Sequence, residues 1–335
     1  MLQMLEDIYQ GRHLSFEQAK VSFSELLTGK VEVPVASALL AALKTKGESV
    51  GEIAGAAYAL RKAAMPFPKT DYITSDCCGT GGDGFNTINV STISAFVAAT
   101  LGVKVVKHGN RSVSSKCGSS DLMDALGINY QLSPEKSKQL LDRANFCFLL
   151  APQYHQGVKH VMPIRQSLKT RTIFNLIGPL ANPAAPDIQL LGVYDSRYCK
   201  PFAEILNILG SKKAMVVNGS GLDEVALHDK TDIALLDNGS IETFSISPKD
   251  LGLDKHSIED MQVDTKLDNL SAALKIMSGK GSQAHNDMIA ANCGALLYLN
   301  GEAPSLKDSV RLAKDTILSG QVAEHLQLIK EVSND

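Results

Sequence analysis

Nowhere in this 335-residue chain do apolar residues run on for the roughly eighteen positions that a membrane-crossing helix needs, so no span is expected. An excess of one charge is also missing: 33 Lys and Arg face 36 Asp and Glu, for a formal net charge of −3. A balance so near neutral implies neither a nucleic-acid nor a membrane partner. The six cysteines, at 77, 78, 117, 147, 199 and 293, make no CxxC pair and no metal-ligand spacing. They read as reduced thiols of a cytoplasmic protein. The vicinal Cys77-Cys78 reads as two small buried strand residues. The first residues, MLQMLEDIYQG, carry acids and lack a long apolar core, so they do not read as a signal peptide. Internal repeats and low-complexity segments are absent.

What is present centres on one stretch, Asp76 to Asp121. Gly79, Gly81, Gly82 and Gly84 crowd into six positions. Glycine admits positive φ and lets N–H groups approach a ligand with no Cβ in the way, and successive N–H groups turned to one side bind anions. Asn89-Val-Ser91-Thr92 then opens an apolar helical run, Ile93 to Leu101, with Ser91 as the expected N-cap. A helix start there aims free N–H groups and the positive dipole end at the same anion. A β-branched run, Val103 to Val106, leads into Lys107-His-Gly-Asn-Arg111 and a serine-rich loop, which supply charge and hydroxyl donors to phosphate oxygens.

Two familiar nucleotide motifs fail here. Gly79-Thr-Gly81-Gly-Asp-Gly84 matches G-x-G-x-x-G, but Phe85 to Asn89 separate it from the helix, and lysines stand where the ribose-binding acid belongs. The P-loop pattern GxxxxGK[ST] does not occur.

Hydrophobic residues make up 44% of the chain, ample for a packed core in one large or two modest domains. Residues 1–65 read as wholly helical, with capping boxes at Ser15–Gln18 and Ser49–Glu52, a stop at Thr28-Gly29 and Pro34 in a first turn. Pro66-Phe-Pro68 is a stiff boundary. The expected domains are 1–68, joined by helices near 165–187, and 70–335. From Ile73 onward strands alternate with helices: strands at Ile73–Cys77, Lys104–Lys107, Phe146–Leu149, Gln189–Tyr194, Ala214–Asn218 and Ile233–Leu236. That alternation predicts an α/β fold with a mainly parallel central sheet, behind a small all-helical first domain. Ligands of such sheets sit at the carboxyl ends of strands, where the glycine loop, the Lys107 loop and Asn218-Gly-Ser-Gly221 would converge. The tail reads as three packing helices, Asp268–Ile276, Ala284–Leu299 and Ser305–Leu318.

Two further elements bear chemistry. Arg165 and Arg171, near Asn175 and Gly178-Pro, suit a carboxylate clamp and suit local surface salt bridges equally well. Asp223-Glu224, after a strand and a glycine-rich turn, suit Mg²⁺, which takes one or two carboxylates plus phosphates and water. They equally suit two solvated acids at a helix start. His155 and His160 have a spacing seen in metal sites but no matching acid, and read as ordinary histidines.

GTGGDG, NVST, KHGNRSVSSKCGSSD, MPIR and GLDE, in this order, resemble the anthranilate phosphoribosyltransferase family over essentially the whole chain. The resemblance implies a fold shared with pyrimidine nucleoside phosphorylases, a homodimer through the helical domain, and two Mg²⁺ ions per subunit. It implies transfer of phosphoribosyl from phosphoribosyl pyrophosphate to anthranilate, in tryptophan biosynthesis. The metal would be held by Asp223, Glu224 and Ser91. The phosphoribosyl pyrophosphate site would comprise Gly79, Gly82, Asp83, Thr87, Asn89, Val90, Ser91 and Thr92 of the first loop. Lys107, His108, Gly109, Asn110, Arg111, Ser112, Val113, Ser114, Ser115 and Ser119 would complete it. Arg165 would bind the anthranilate carboxylate, with Gly79 and Asn110 beside it and His108 and Tyr154 lining the aromatic pocket. The weakly basic aromatic amine attacks once positioned, so no residue is assigned as general base, and inversion at the anomeric carbon is expected. Two alternatives stand beside this reading: a pyrimidine nucleoside phosphorylase, and a non-catalytic phosphate-binding relative.

Overall fold

The structure, a computed structural model, describes residues 2–111 and 118–335. The chain opens with α1 (Leu2–Tyr9), α2 (Phe16–Leu27), α3 (Val33–Lys46) and α4 (Val50–Lys62). Both expected capping boxes form, Ser15 with Gln18 and Ser49 with Glu52. Glu52 does more than cap: its buried carboxylate also pairs with Lys46 at 2.9 Å and accepts from the Leu14 N–H at 2.9 Å. Pro34 sits in the first turn of α3.

The second part alternates β1 (Ser75–Gly79), α5 (Val90–Thr100), β2 (Val105–Gly109), α6 (Ser119–Leu126), α7 (Pro134–Ala144) and β3 (Phe146–Leu150). Three short helices follow, α8 (Ala151–Tyr154), α9 (Met162–Leu168) and α10 (Ile173–Ile177). Next come β4 (Ile188–Gly192), α11 (Cys199–Ile208), β5 (Lys213–Asn218), β6 (Thr231–Asp237) and β7 (Ser240–Ile246). The chain closes with α12 (Lys266–Met277), α13 (Gln283–Asn300), α14 (Leu306–Ser319) and α15 (Gln321–Asn334).

The described residues form a seven-stranded sheet in the order β3-β2-β1-β4-β5-β6-β7. The first five strands in that order run parallel, and β6 and β7 are antiparallel additions. Side chains of a strand alternate between faces, and β5 shows the consequence. Met215 and Val217 join a core with α5 and α13, whereas Ala214 and Val216 join one with α1–α4 and α9–α11. The amino-terminal helices therefore share their core with one face of the sheet, and α9 and α10 pack on α3 and α4.

Two elements differ from the expectation. β7 was not foreseen, because it is an edge strand whose residues are exposed or half-buried rather than an apolar run. The tail carries a fourth helix, α15, separated from α14 only by Gly320 at φ +78°.

Candidate active site

The glycine loop leaves β1 at its carboxyl end. Gly81, Gly82 and Gly84 all take positive φ, between +67° and +82°, which an L side chain resists. The loop is anchored along its length. Thr80 N–H donates to Gly192 O at 2.9 Å, and Arg171 Nη2 donates to Gly82 O at 2.7 Å while its guanidinium stacks on Tyr194. Gln262 Nε2 donates to Phe85 O at 2.9 Å, and Val263 N–H to Asn86 O at 3.0 Å. Thr87 bridges Gln262 across the same contact.

Into the groove beside this loop runs the segment carrying Asp223 and Glu224. A Cβ at Gly79 or Gly192 would collide with Asp223, so glycine at those strand ends is what admits the acid. Asp223 Oδ2 accepts from Gly81 N–H at 2.6 Å, and Asp223 N–H lies 3.5 Å from Asp83 Oδ2. Glu224 takes a hydrogen bond from the Ser91 N–H at the start of α5. Burial, then the charge of Asp83, pushes Asp223 up to about 8. Burial, then Asp223, pushes Glu224 well above the usual carboxylate range. The alternative of two solvated helix-start acids is thus overturned: Asp223 is buried, Glu224 is half-buried, and the pair starts no helix.

Carboxylates gathered in low dielectric around one another hold their charge poorly without a cation. The donor set fits Mg²⁺, an all-oxygen ion that completes its shell with phosphate and water. Among the described residues no three His, Cys, Asp or Glu side chains close around an ion.

Two expectations about the neighbouring residues need correction. Ser91 is not the N-cap of α5. The helix starts at Val90 after Asn89, and Ser91 Oγ instead accepts from Lys107 Nζ at 3.2 Å. Asn89 is fixed from elsewhere: its side-chain oxygen accepts from Asn269 Nδ2 at 3.1 Å, and Asn269 Oδ1 accepts from Asn89 N–H at 3.3 Å. Lys107, expected at the end of a strand as a phosphate contact, is 2% exposed, and its ammonium also donates to Cys77 O at 2.7 Å. Val90 and Thr92 are buried in the first turn of α5.

Farther along β2, a Cβ on Gly109 would meet Ser119 Oγ, and that hydroxyl donates to Asn110 O at 3.3 Å. Asn110 Oδ1 accepts from Arg111 N–H at 2.8 Å. Ser112, Val113, Ser114 and Ser115 lie outside the described residues. Arg165 lies half-buried on α9 with its guanidinium over Phe174, 5.4 Å from the ring centre, and burial lowers its pKa. Among the described residues no carboxylate pairs with it. Tyr154, 1% exposed, sits inside the core rather than on a pocket wall.

His108 packs edge-on against His155 at 5.2 Å. Burial lowers His155 from 6.5 to about 4 and holds His108 well below its ordinary value. Both are therefore neutral at pH 7. The folded state binds fewer protons than the unfolded one between about pH 6.5 and 4, so stability is lost as pH falls through that window. The unfolding temperature is expected to drop over it, more shallowly in His155→Gln; identical slopes would show that His155 does not take part.

A separate cavity of about 360 Å³ lies at the opposite, amino end of the strands, between Lys104, Lys212, Lys213 and Leu299. Its lysines are already held by Asp142 O, Asp187 and Asp237.

Residues 71–323 match the family model described as glycosyl transferase family, a/b domain, and residues 2–64 match its helical bundle domain. The fold and the glycine–acid site thus place the chain in that glycosyltransferase class. It is 49% identical over 330 residues to the anthranilate phosphoribosyltransferase of Pseudoalteromonas translucida, covering 98% of this chain and 93% of that one. Identity to the Shewanella frigidimarina protein of the same name is 50% over 321 residues, covering 95% and 92%. The Thermus thermophilus anthranilate phosphoribosyltransferase superposes with a TM-score of 0.94 at 36% identity, over 99% of both chains. The Saccharomyces cerevisiae enzyme in complex with PRPP and Mg gives 0.90 at 27%, over 99% of this chain and 97% of that one. The chain belongs to the anthranilate phosphoribosyltransferase family.

Proposed function

We propose that this chain transfers the 5-phosphoribosyl group of phosphoribosyl pyrophosphate to the amine of anthranilate, releasing pyrophosphate, as a step of tryptophan biosynthesis. The observation that carries the reading is the Asp223–Glu224 pair, the first buried and the second half-buried, set against the positive-φ glycine loop and the start of α5. The relatives named above support it: one of the yeast structures holds PRPP and Mg and another holds 4-fluoroanthranilate.

Each group has a role in this reading. Those N–H groups of the glycine loop and of the first turn of α5 that do not already serve Asp223 and Glu224 hold pyrophosphate oxygens. Asp223 and Glu224, with Ser91, would hold two Mg²⁺ ions, which would neutralise charge on the leaving pyrophosphate. Lys107 keeps Ser91 in place from below. Arg165 binds the anthranilate carboxylate in its fork, beside Asn110 and Gly79, which turns the amine toward the anomeric carbon. The aromatic amine is unprotonated at neutral pH and attacks from the face opposite the departing pyrophosphate. Alignment of such partners supplies up to roughly 7–11 kcal/mol. We assign no general base.

The helices of residues 1–68 and the segment 165–187 act as one small unit beside the 70–335 domain. The apolar side chains exposed on that unit, Leu2, Tyr9 and Val33, pair two copies into a homodimer. The protein works in the cytoplasm, in keeping with five described cysteines that are all free thiols. Among the described residues no helix is long and apolar enough to cross a membrane.

Loss of anthranilate fluorescence with phosphoribosyl pyrophosphate and Mg²⁺, abolished by EDTA, tests the reading. Release of free base from uridine or thymidine with phosphate instead would make it a phosphorylase. Silence in both assays would leave a binding protein. In the same assay Arg165→Ala is expected to raise the anthranilate KM roughly 10- to 100-fold, the worth of a lost charge-assisted hydrogen bond. The phosphoribosyl pyrophosphate KM should stay within about twofold. Equal rises in both would remove Arg165 from the carboxylate.

A further inference from the structure

We infer that Asn292, on α13, is a positioning residue that sets the acidic pair in register for its cation. The inference rests on the function proposed above, and no motif near the site points to this residue. Asn292 is fully buried. Its side-chain amide behaves as a piece of β-strand. Oδ1 accepts from the Val225 N–H at 2.8 Å, and Nδ2 donates to the Val225 carbonyl at 3.1 Å and to the Met288 carbonyl at 3.0 Å. Val225 is the residue immediately after Glu224 and is itself buried. Both of its main-chain polar groups thus find their partner on one side chain from a distant helix.

The geometry explains why such a device is needed. The 219–226 segment is neither helix nor extended strand. It is pinned at its start by the Gly219–Leu222 pair, and at its end by the Ala226 N–H on Thr231 Oγ1 at 2.9 Å. Between these pins the chain places Asp223, buried, and Glu224, half-buried, side by side. Without Asn292, Val225 would be left with an unpaired N–H and C=O out of reach of water, and the segment would turn to satisfy them. Glu224 moves with any such turn. Partners that orient metal ligands typically govern metal affinity by 10- to 100-fold. Asn292 touches no reacting atom, so its effect should appear in cation binding rather than in the handling of the aromatic acid.

The test compares wild type, Asn292→Ala and Val310→Ala. Val310 of α14 packs against Gly294 of α13, so it controls for simple loosening of α13 against α14. Mn²⁺ binding is measured directly, by calorimetry or electron paramagnetic resonance, with pyrophosphate present. The Mg²⁺ dependence of turnover and the anthranilate KM are measured alongside. Asn292→Ala is expected to weaken Mn²⁺ binding by roughly tenfold or more. The anthranilate KM should change less than about twofold, and Val310→Ala should leave both near wild type at a comparable loss of unfolding temperature. Equal Mn²⁺ affinity in Asn292→Ala and Val310→Ala would overturn the proposal, as would a parallel rise in the anthranilate KM. If Asn292→Ala does not fold, Asn292→Ser poses the same question. Its hydroxyl satisfies the Met288 carbonyl four residues back but releases Val225. Absence of turnover in wild type, with Mn²⁺ still bound more tightly than by the variant, would refute the proposed reaction and leave the positioning role standing.

Discussion

The double variant Asp223→Asn with Glu224→Gln is expected to lose roughly three orders of magnitude or more in turnover, and to unfold at a higher temperature than wild type. The first effect follows from the charge on the leaving pyrophosphate. Preorganised charge at a developing anion is worth several kcal/mol, and about 1.4 kcal/mol is a factor of ten. The second follows from the ionisation of the free protein. Burial and Asp83 raise Asp223 to about 8, and burial and Asp223 raise Glu224 well above its ordinary value. A carboxyl with a raised folded-state pKa favours the folded state while protonated. That contribution is whole below the unfolded pKa and is lost as pH rises through the folded one. Neutral amides of the same shape remove the loss. Wild type and variant should therefore converge in unfolding temperature toward pH 4 and separate toward pH 8, the variant being higher by a few degrees. Activity assays with Mg²⁺ titration, together with thermal scans across pH, check both halves. An unchanged Mg²⁺ profile would move the metal site elsewhere, and a destabilised variant would show that the acids are paired in a way the carboxylate cluster does not suggest.

Local chemistry was what the sequence displayed most openly. Ser15–Gln18 and Ser49–Glu52 announce helix starts because a capping box closes within four residues, and both form. The glycine loop declares itself because positive φ at Gly81, Gly82 and Gly84 is a property of single residues. The parallel sheet followed from alternating elements, and its antiparallel edge strand β7 escaped because a half-exposed edge carries no apolar run. The site was legible as a set of residue types and far less so as an arrangement. Asp223-Glu224 could be read as metal ligands or as solvated acids until the burial of Asp223 and the half-burial of Glu224 were known. Asn269 and Asn292 lie in helices whose periodicity says only that they pack, yet their amides hold Asn89 and Val225 across 180 and 67 positions of chain. Arg171 was read as one of two arginines suited to a carboxylate; its contact with the glycine loop runs through a backbone carbonyl, which leaves no trace in residue type. A buried asparagine inside an apolar helical stripe was the one signal that could have prompted the search, since such a side chain must find a partner.

Lys107→Met is expected to cost both stability and activity, for reasons that differ from those of a lysine reaching out to phosphate. Lys107 leaves β2 beside Asp76, and both side chains are buried. Burial raises the Asp76 carboxyl, and the charge of Lys107 is the strongest influence holding it down, followed by Asn182 and the His108 N–H. Asn182 Nδ2 donates to Asp76 at 2.8 Å and to Val106 O at 2.8 Å, so the acid ties β1 to β2 and to the segment after α10. Lys107 also lowers Glu224 and donates to Ser91 Oγ and Cys77 O. Methionine fills the same space without the cation. Removing the cation leaves the buried Asp76 carboxyl without its strongest stabilising charge, at a cost of at most about 3–5 kcal/mol, the range for one partner of a buried ion pair. Asp76→Asn in the Lys107→Met background should restore part of that stability, since it discharges the stranded acid. It should not restore turnover, since Ser91 and Glu224 remain unsupported. Chemical denaturation of the two single variants and the double gives the coupling energy directly. If Lys107→Met were as stable as wild type and raised only the KM for phosphoribosyl pyrophosphate, Lys107 would be a direct phosphate contact. The buried counter-charge role would then belong to Asn182 and the strand N–H groups around Asp76.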